Sequence, residues 1–127
     1  MIIKVSPDMQ KAVSLKKTAK ITLERLEDTD KSKYPSNTLK DYYDIIHELM
    51  ESLTLKDGIK AKGEGAHMEL IDYVCRTYKF TEQQRIFLQQ LRNYRNRISY
   101  EGFSITEDFI VSNEKKIKNI VEKLFGL

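Results

Sequence analysis

The chain has no tryptophan, a single cysteine and no long apolar run, and each shortage closes a class of protein. Standing alone, Cys75 excludes an intrachain disulfide and any cysteine-based metal cluster, and a lone thiol fits a reducing compartment. Set between Val74 and Arg76 in an apolar helical pattern, it reads as packing rather than as a nucleophile. No stretch approaches the roughly 20 apolar residues of a spanning helix, and Met1 to Val5 is too short for the apolar part of a secretory signal. A cytoplasmic protein without a membrane partner is expected. An excess of one charge is also missing: the formal net charge of +3 comes from 22 bases mixed with 19 acids. That balance permits nucleic-acid binding without predicting it, because only the arrangement of the bases can make a patch. There is no internal repeat at solenoid spacing and no low-complexity tract.

At 127 residues the chain fits one domain, 1–127, long enough to bury a core without staples or metals. Ser6-Pro7-Asp8 predicts a helix start, with Ser6 as N-cap and Pro7 at the first helical position. The apolar residues Met9, Ala12, Leu15, Ala19, Leu23 and Leu26 then recur at threes and fours to about Glu27. A second helix begins near Ser36-Asn37 and stops before Asp57-Gly58. Leu39, Tyr42, Tyr43, Ile46, Leu49, Met50 and Leu53 form its inner stripe, and Asp41, Asp44, Glu48 and Glu51 mark the other side. Lys56 to Gly65 holds three of the five glycines and reads as a flexible loop. A third helix covers about Ala66 to Tyr78. Thr81 and Gln84 have the spacing of a capping box for a fourth, which runs to about Glu101 with Gly102 as its left-handed cap. Thr106 starts a fifth, with Phe109, Ile110, Ile117, Ile120, Val121 and Leu124 facing inward. Met1 to Val5 either pairs as a short strand or frays. Five amphipathic segments without a clear period-two strand predict an all-α antiparallel helical bundle.

The densest chemistry lies in Leu91 to Phe103, LRNYRNRISYEGF, inside the fourth helix. Arg92, Asn96 and Tyr100 are spaced by four, and Arg95 and Ser99 interleave with them, so one face carries a polar, basic stripe beside the apolar Leu88, Leu91, Tyr94 and Ile98. Arginine suits phosphate because its planar fork donates paired hydrogen bonds and stays charged. The same stripe can instead face water, or pair with carboxylates of a neighbouring helix or of a partner. His47 and His67 are the only histidines; neither has a second histidine or a cysteine at four residues, and no metal or cofactor is expected. Asp44, His47 and Glu51 share a helix face, which paired surface charges explain. Lys62-Gly63-Glu64-Gly65 is not a phosphate-binding loop, since no strand precedes it and Ala66-His67 follows. Tyr42, Tyr43, Tyr73, Tyr78 and Tyr94 fall on or beside inner stripes, as core or interface residues do.

Arg95-Asn96-Arg97-Ile98-Ser99-Tyr100 resembles the motif of the HEPN families, prokaryotic helical-bundle domains whose fourth long helix carries Arg, then Asn, Asp or His, then three variable positions, then His. Arg95 and Asn96 match, and Tyr100 stands where the His belongs. The glycine-rich loop, the segment Gly65 to Asp72 and the capped helix leading into the motif resemble the HEPN order of elements. The resemblance implies a homodimer whose motif helices meet to form one metal-independent ribonuclease site. Arg95, Asn96 and Tyr100 would be its catalytic set, with Arg92, Arg95, Arg97 and Ser99 on the RNA. In that chemistry a ribose 2′-hydroxyl attacks phosphorus, a base takes its proton and arginine stabilises the charge. Tyrosine, with a reference pKa of about 10, is a poor base at neutral pH unless a cation lowers it, and Arg92 and Arg95 are close on the helix. Either histidine could supply the base if assembly brought it near. Two functions therefore stay open: an RNA-binding or residual ribonuclease module of a defence or toxin-antitoxin type, and a non-catalytic interaction or dimerisation module. Some HEPN toxins are modified by a partner nucleotidyltransferase on a tyrosine two residues past the motif His. Here that position is Gly102, so only the idea of such a partner carries over.

Overall fold

The computed structural model describes residues 1–127 and is an all-α bundle, with five helices making up 73% of the chain and only a minimal sheet beside them. In chain order the elements are β1 (Ile2–Lys4), α1 (Met9–Glu27), α2 (Pro35–Asp57), β2 (Ile59–Ala61), α3 (Ala66–Thr77), α4 (Glu82–Glu101) and α5 (Glu107–Phe125).

The sequence of α2 explains its central place. Beyond its predicted stripe, Ile45 is also fully enclosed, so apolar side chains spread over more of the helix than one face, and α1, α3, α4 and α5 all pack against it. Burying each such side chain contributes about 1.5–3 kcal/mol. One core of 23 buried residues joins α2 to every other helix. The acids expected on the opposite side are not free in water: Asp41, Asp44, Glu48 and Glu51 are all half-buried. Neighbouring helices cover that side too.

α1 and α2 form an antiparallel hairpin, since the Asp8 amide donates to the Leu55 carbonyl (3.1 Å) at one end and Arg25 reaches Asp41 (3.0 Å) at the other. Its start differs from the sequence expectation. Asp8, not Ser6, is the N-cap, with Oδ1 accepting from the Lys11 amide at 2.9 Å, and Met9 is 56% exposed instead of in the core. The reason is the strand before it. β1 pairs antiparallel with β2, Ile3 opposite Lys60, and the Val5 amide donates to Gly58 (2.8 Å), so the chain stays extended through Pro7.

β2 lies within the segment expected to be a flexible loop. Strands of three residues are too short for alternation to register, and the partner is separated in sequence by the whole α1–α2 hairpin. Gly58 joins the two units. It caps α2 at φ 68°, and a Cβ there would lie 2.7 Å from the Val5 carbonyl oxygen.

α3 and α4 form the second antiparallel hairpin. Arg85 pairs with Asp72 (3.0 Å) and the Gln89 amide donates to the Met68 carbonyl (2.9 Å). At the start of α4, Thr81 Oγ1 accepts from the Gln84 amide (3.0 Å) while Gln84 accepts from the Thr81 amide (2.9 Å), the capping box read from the sequence. This register has a functional consequence: the first turn of α3, with His67, lies alongside the turn of α4 that carries Arg92.

Candidate functional site

Three elements meet where the first turn of the polar stripe of α4 is half-buried: the middle of α2, the start of α3 and the Arg92–Arg95 turn. From α2 come Tyr43, Asp44, His47, Glu48 and Glu51, spaced by three and four so that they follow one side of the helix. α3 contributes His67. Its ring stacks on that of His47, with centroids 4.2 Å apart and planes inclined at 24°.

The two imidazoles have different surroundings. His47 Nε2 is 2.9 Å from Glu51 Oε1, while its buried Nδ1 has no hydrogen-bond partner. The bond from His47 holds the Glu51 carboxyl below its usual range. His67 is held below the ordinary histidine value of 6.5, first by partial burial, then by His47 and by Arg95, with Glu51 opposing and Arg92 adding to the depression. At neutral pH it is therefore an uncharged imidazole, able to take a proton. Glu48 is pushed above the ordinary carboxyl value by burial and then by Asp44.

The arginines are only partly engaged. Arg92 Nε donates to Gln89 Oε1 at 2.9 Å, and Arg95 Nε is 3.8 Å from Asp44 Oδ1, too long for a hydrogen bond. That Nε is itself buried without a partner. No side chain accepts from the terminal nitrogens of either guanidinium, although each carries most of its five donors there. Below them lies the Tyr43 hydroxyl, 1% exposed as a residue and without a partner. Burial pushes the Tyr43 phenol up to about 12, against the lowering pull of Arg92 and Arg95. It stays protonated and can only donate or accept a hydrogen bond. Beside the histidines opens a cavity of about 200 Å³, lined by His47, Glu51, His67, Lys11 and Lys60 among others.

The residues singled out in the sequence separate here. Arg92 and Arg95 join the cluster; Asn96 is half-buried and makes no side-chain hydrogen bond. Arg97 is on another side of α4, its guanidinium carbon 4.0 Å above the Phe103 ring and its Nε 3.8 Å from Glu101. Ser99 is exposed, and Tyr100, 78% exposed, points into solvent without a hydrogen bond. On a single helix at about 100° per residue, Tyr100 is turned away from Arg95, which the one-face reading overlooked. The sequence offered His47 and His67 only as a base brought in by assembly, and Tyr43 only as core or interface; the structure gathers all three with the arginines within one chain. Asp44, His47 and Glu51 on one helix face were the visible half of the signal; that His67 stacks on them depends on the hairpin register. Cys75 is buried and its thiol is pushed up to about 11 by burial, consistent with packing. No group of three or more metal-ligating side chains comes together, and no helix is long and apolar enough to cross a membrane. No protein-family model, curated protein or solved structure matches the chain.

Proposed function

We propose that the chain is a HEPN-like RNA-binding module with residual metal-independent ribonuclease chemistry, of a defence or toxin-antitoxin type, acting as a homodimer. The observation that carries this is the pairing of two half-buried arginines with unspent terminal donors and two stacked histidines, the His67 ring being held below the ordinary histidine value by its surroundings. The arginines hold a phosphodiester, the developing negative charge on phosphorus being matched by donors already in place. His67 takes the proton of the attacking 2′-hydroxyl, and His47, backed by Glu51, returns one to the leaving 5′-oxygen. In this reading the histidines replace the base that Tyr100 cannot be. Tyr100 and Ser99 at the exposed end of α4 belong to the dimer contact, where a large aromatic left in water supports an interface.

A cleavage assay on single-stranded RNA in excess chelator tests the chemistry. Activity is expected to survive chelation, to fall by about 100-fold or more in His67→Ala and to vanish in Arg95→Ala, with RNA binding kept in the histidine variant. Cleavage that needs a divalent ion contradicts the mechanism. The second reading, a non-catalytic module whose partner is a protein such as a nucleotidyltransferase, draws on the exposed Tyr100 and gains if RNA is not bound at all.

A further inference from the structure

A second surface, on the far side of α2 from α4, has no part in that reading and stands independently of it. α1 meets α2 through Ala12, Ala19 and Leu26, and α2 is the only helix on which it packs extensively. Beside the α1–α2 seam, where Ser52 and Lys56 of α2 and Phe125 of α5 form its other wall, a groove of about 660 Å³ runs along α1, with Met9, Val13, Leu23 and Phe125 among its apolar lining. Met9 and Val13, one turn apart, are 56% and 62% exposed. Four lysines edge it, Lys16, Lys17, Lys20 and Lys56, and no carboxylate lines it. None of the four enters an ion pair, in a chain with 19 acids to offer.

We infer that this groove docks an acidic amphipathic helix of a partner protein. The charge pattern sets the sign of the occupant: an apolar floor edged only by cations favours a ligand with an apolar stripe flanked by carboxylates. Length sets its form. From Met9 to Leu23 the groove follows α1 for about 21 Å at 1.5 Å per residue, roughly four turns, which leaves ample room for anchors at i, i+3, i+4 and i+7, themselves spanning about two turns. Lysine stems lie along such a helix while their ammonium groups meet its acids.

The test uses the full chain and a fluorescent peptide of about 18 residues, leucines at i, i+3, i+4 and i+7 and glutamates at flanking positions, against a scrambled peptide of equal composition. Anisotropy should show saturable binding of the patterned peptide, about tenfold or more tighter than the scrambled one and weakening as salt rises. Val13→Glu, and separately Lys17→Glu with Lys20→Glu, should each weaken it by about tenfold or more; thermal melts confirm that these exposed substitutions leave the fold intact. No binding, equal binding of the two peptides, or binding untouched by these variants overturns the inference. So does an assignment elsewhere: laurate binding lost in Val13→Glu without peptide binding points to a lipid, and self-association lost in that variant points to a second copy.

Discussion

His67 shows most clearly how one residue's surroundings set its chemistry. Partial burial and the nearby positive charges disfavour its imidazolium, so its folded pKa is below the 6.5 of an unperturbed histidine. Between those two values the unfolded chain binds the proton and the folded chain does not, so stability rises with pH there. The contribution is present above about pH 6.5 and is lost as pH falls through the folded pKa. An NMR titration should place the His67 midpoint under 6.5, and Arg95→Ala should raise it by removing one lowering charge. A midpoint unmoved by that substitution would show that the arginine does not act on the ring. Legibility at this scale was uneven. Arg92 and Arg95 stood out because arginines spaced by three share a helix face, and a spacing is a property of the sequence itself. The His47–His67 stack was not legible, because contact between side chains of two helices depends on how the hairpins pack.

Helix ends were legible wherever the signal is local chemistry. Thr81 with Gln84, and Gly58 and Gly102 at left-handed caps, need only their own neighbours to be recognised. Ser6 misled because Asp8, two residues on, caps equally well and the β1–β2 pairing favours the later start. β2 itself was hidden by its length. Gly58 joins these elements and yields a direct prediction: Gly58→Ala meets both an unfavourable φ and a close approach to the Val5 carbonyl. It should lower stability by more than about 1 kcal/mol, read as a fall in melting temperature and in the denaturant midpoint. An unchanged melt would mean that the β1–β2 tie contributes nothing to the fold.

At the scale of the whole molecule, the bundle was expected from five amphipathic periods, and the core residues of α2 and α5 are largely those the stripes predicted. The exceptions have one cause. A helix covered on several sides loses its solvent face, so acids that periodicity assigned to water, Asp44, Glu48 and Glu51, end up around the histidines. Oligomeric state is also decided at this scale. If α4 meets its twin at the exposed end, Tyr100→Ala should shift sedimentation from dimer towards monomer while leaving the melt of the isolated fold unchanged. A wild-type chain that sediments as a monomer at high concentration would remove the homodimer from the proposal.

The central claim is that Arg92 and Arg95 are there to hold phosphate, and the salt dependence of RNA binding tests it most directly. Single-stranded nucleic acid gives a slope of about −0.7 in log affinity against log salt for each phosphate contact. Measured from low to moderate salt, the affinity of the wild-type chain should fall steeply, and Arg92→Ala with Arg95→Ala should bind more weakly with a slope reduced by about 1.4. Absent binding, or binding whose strength and slope are the same with and without the two arginines, contradicts the account.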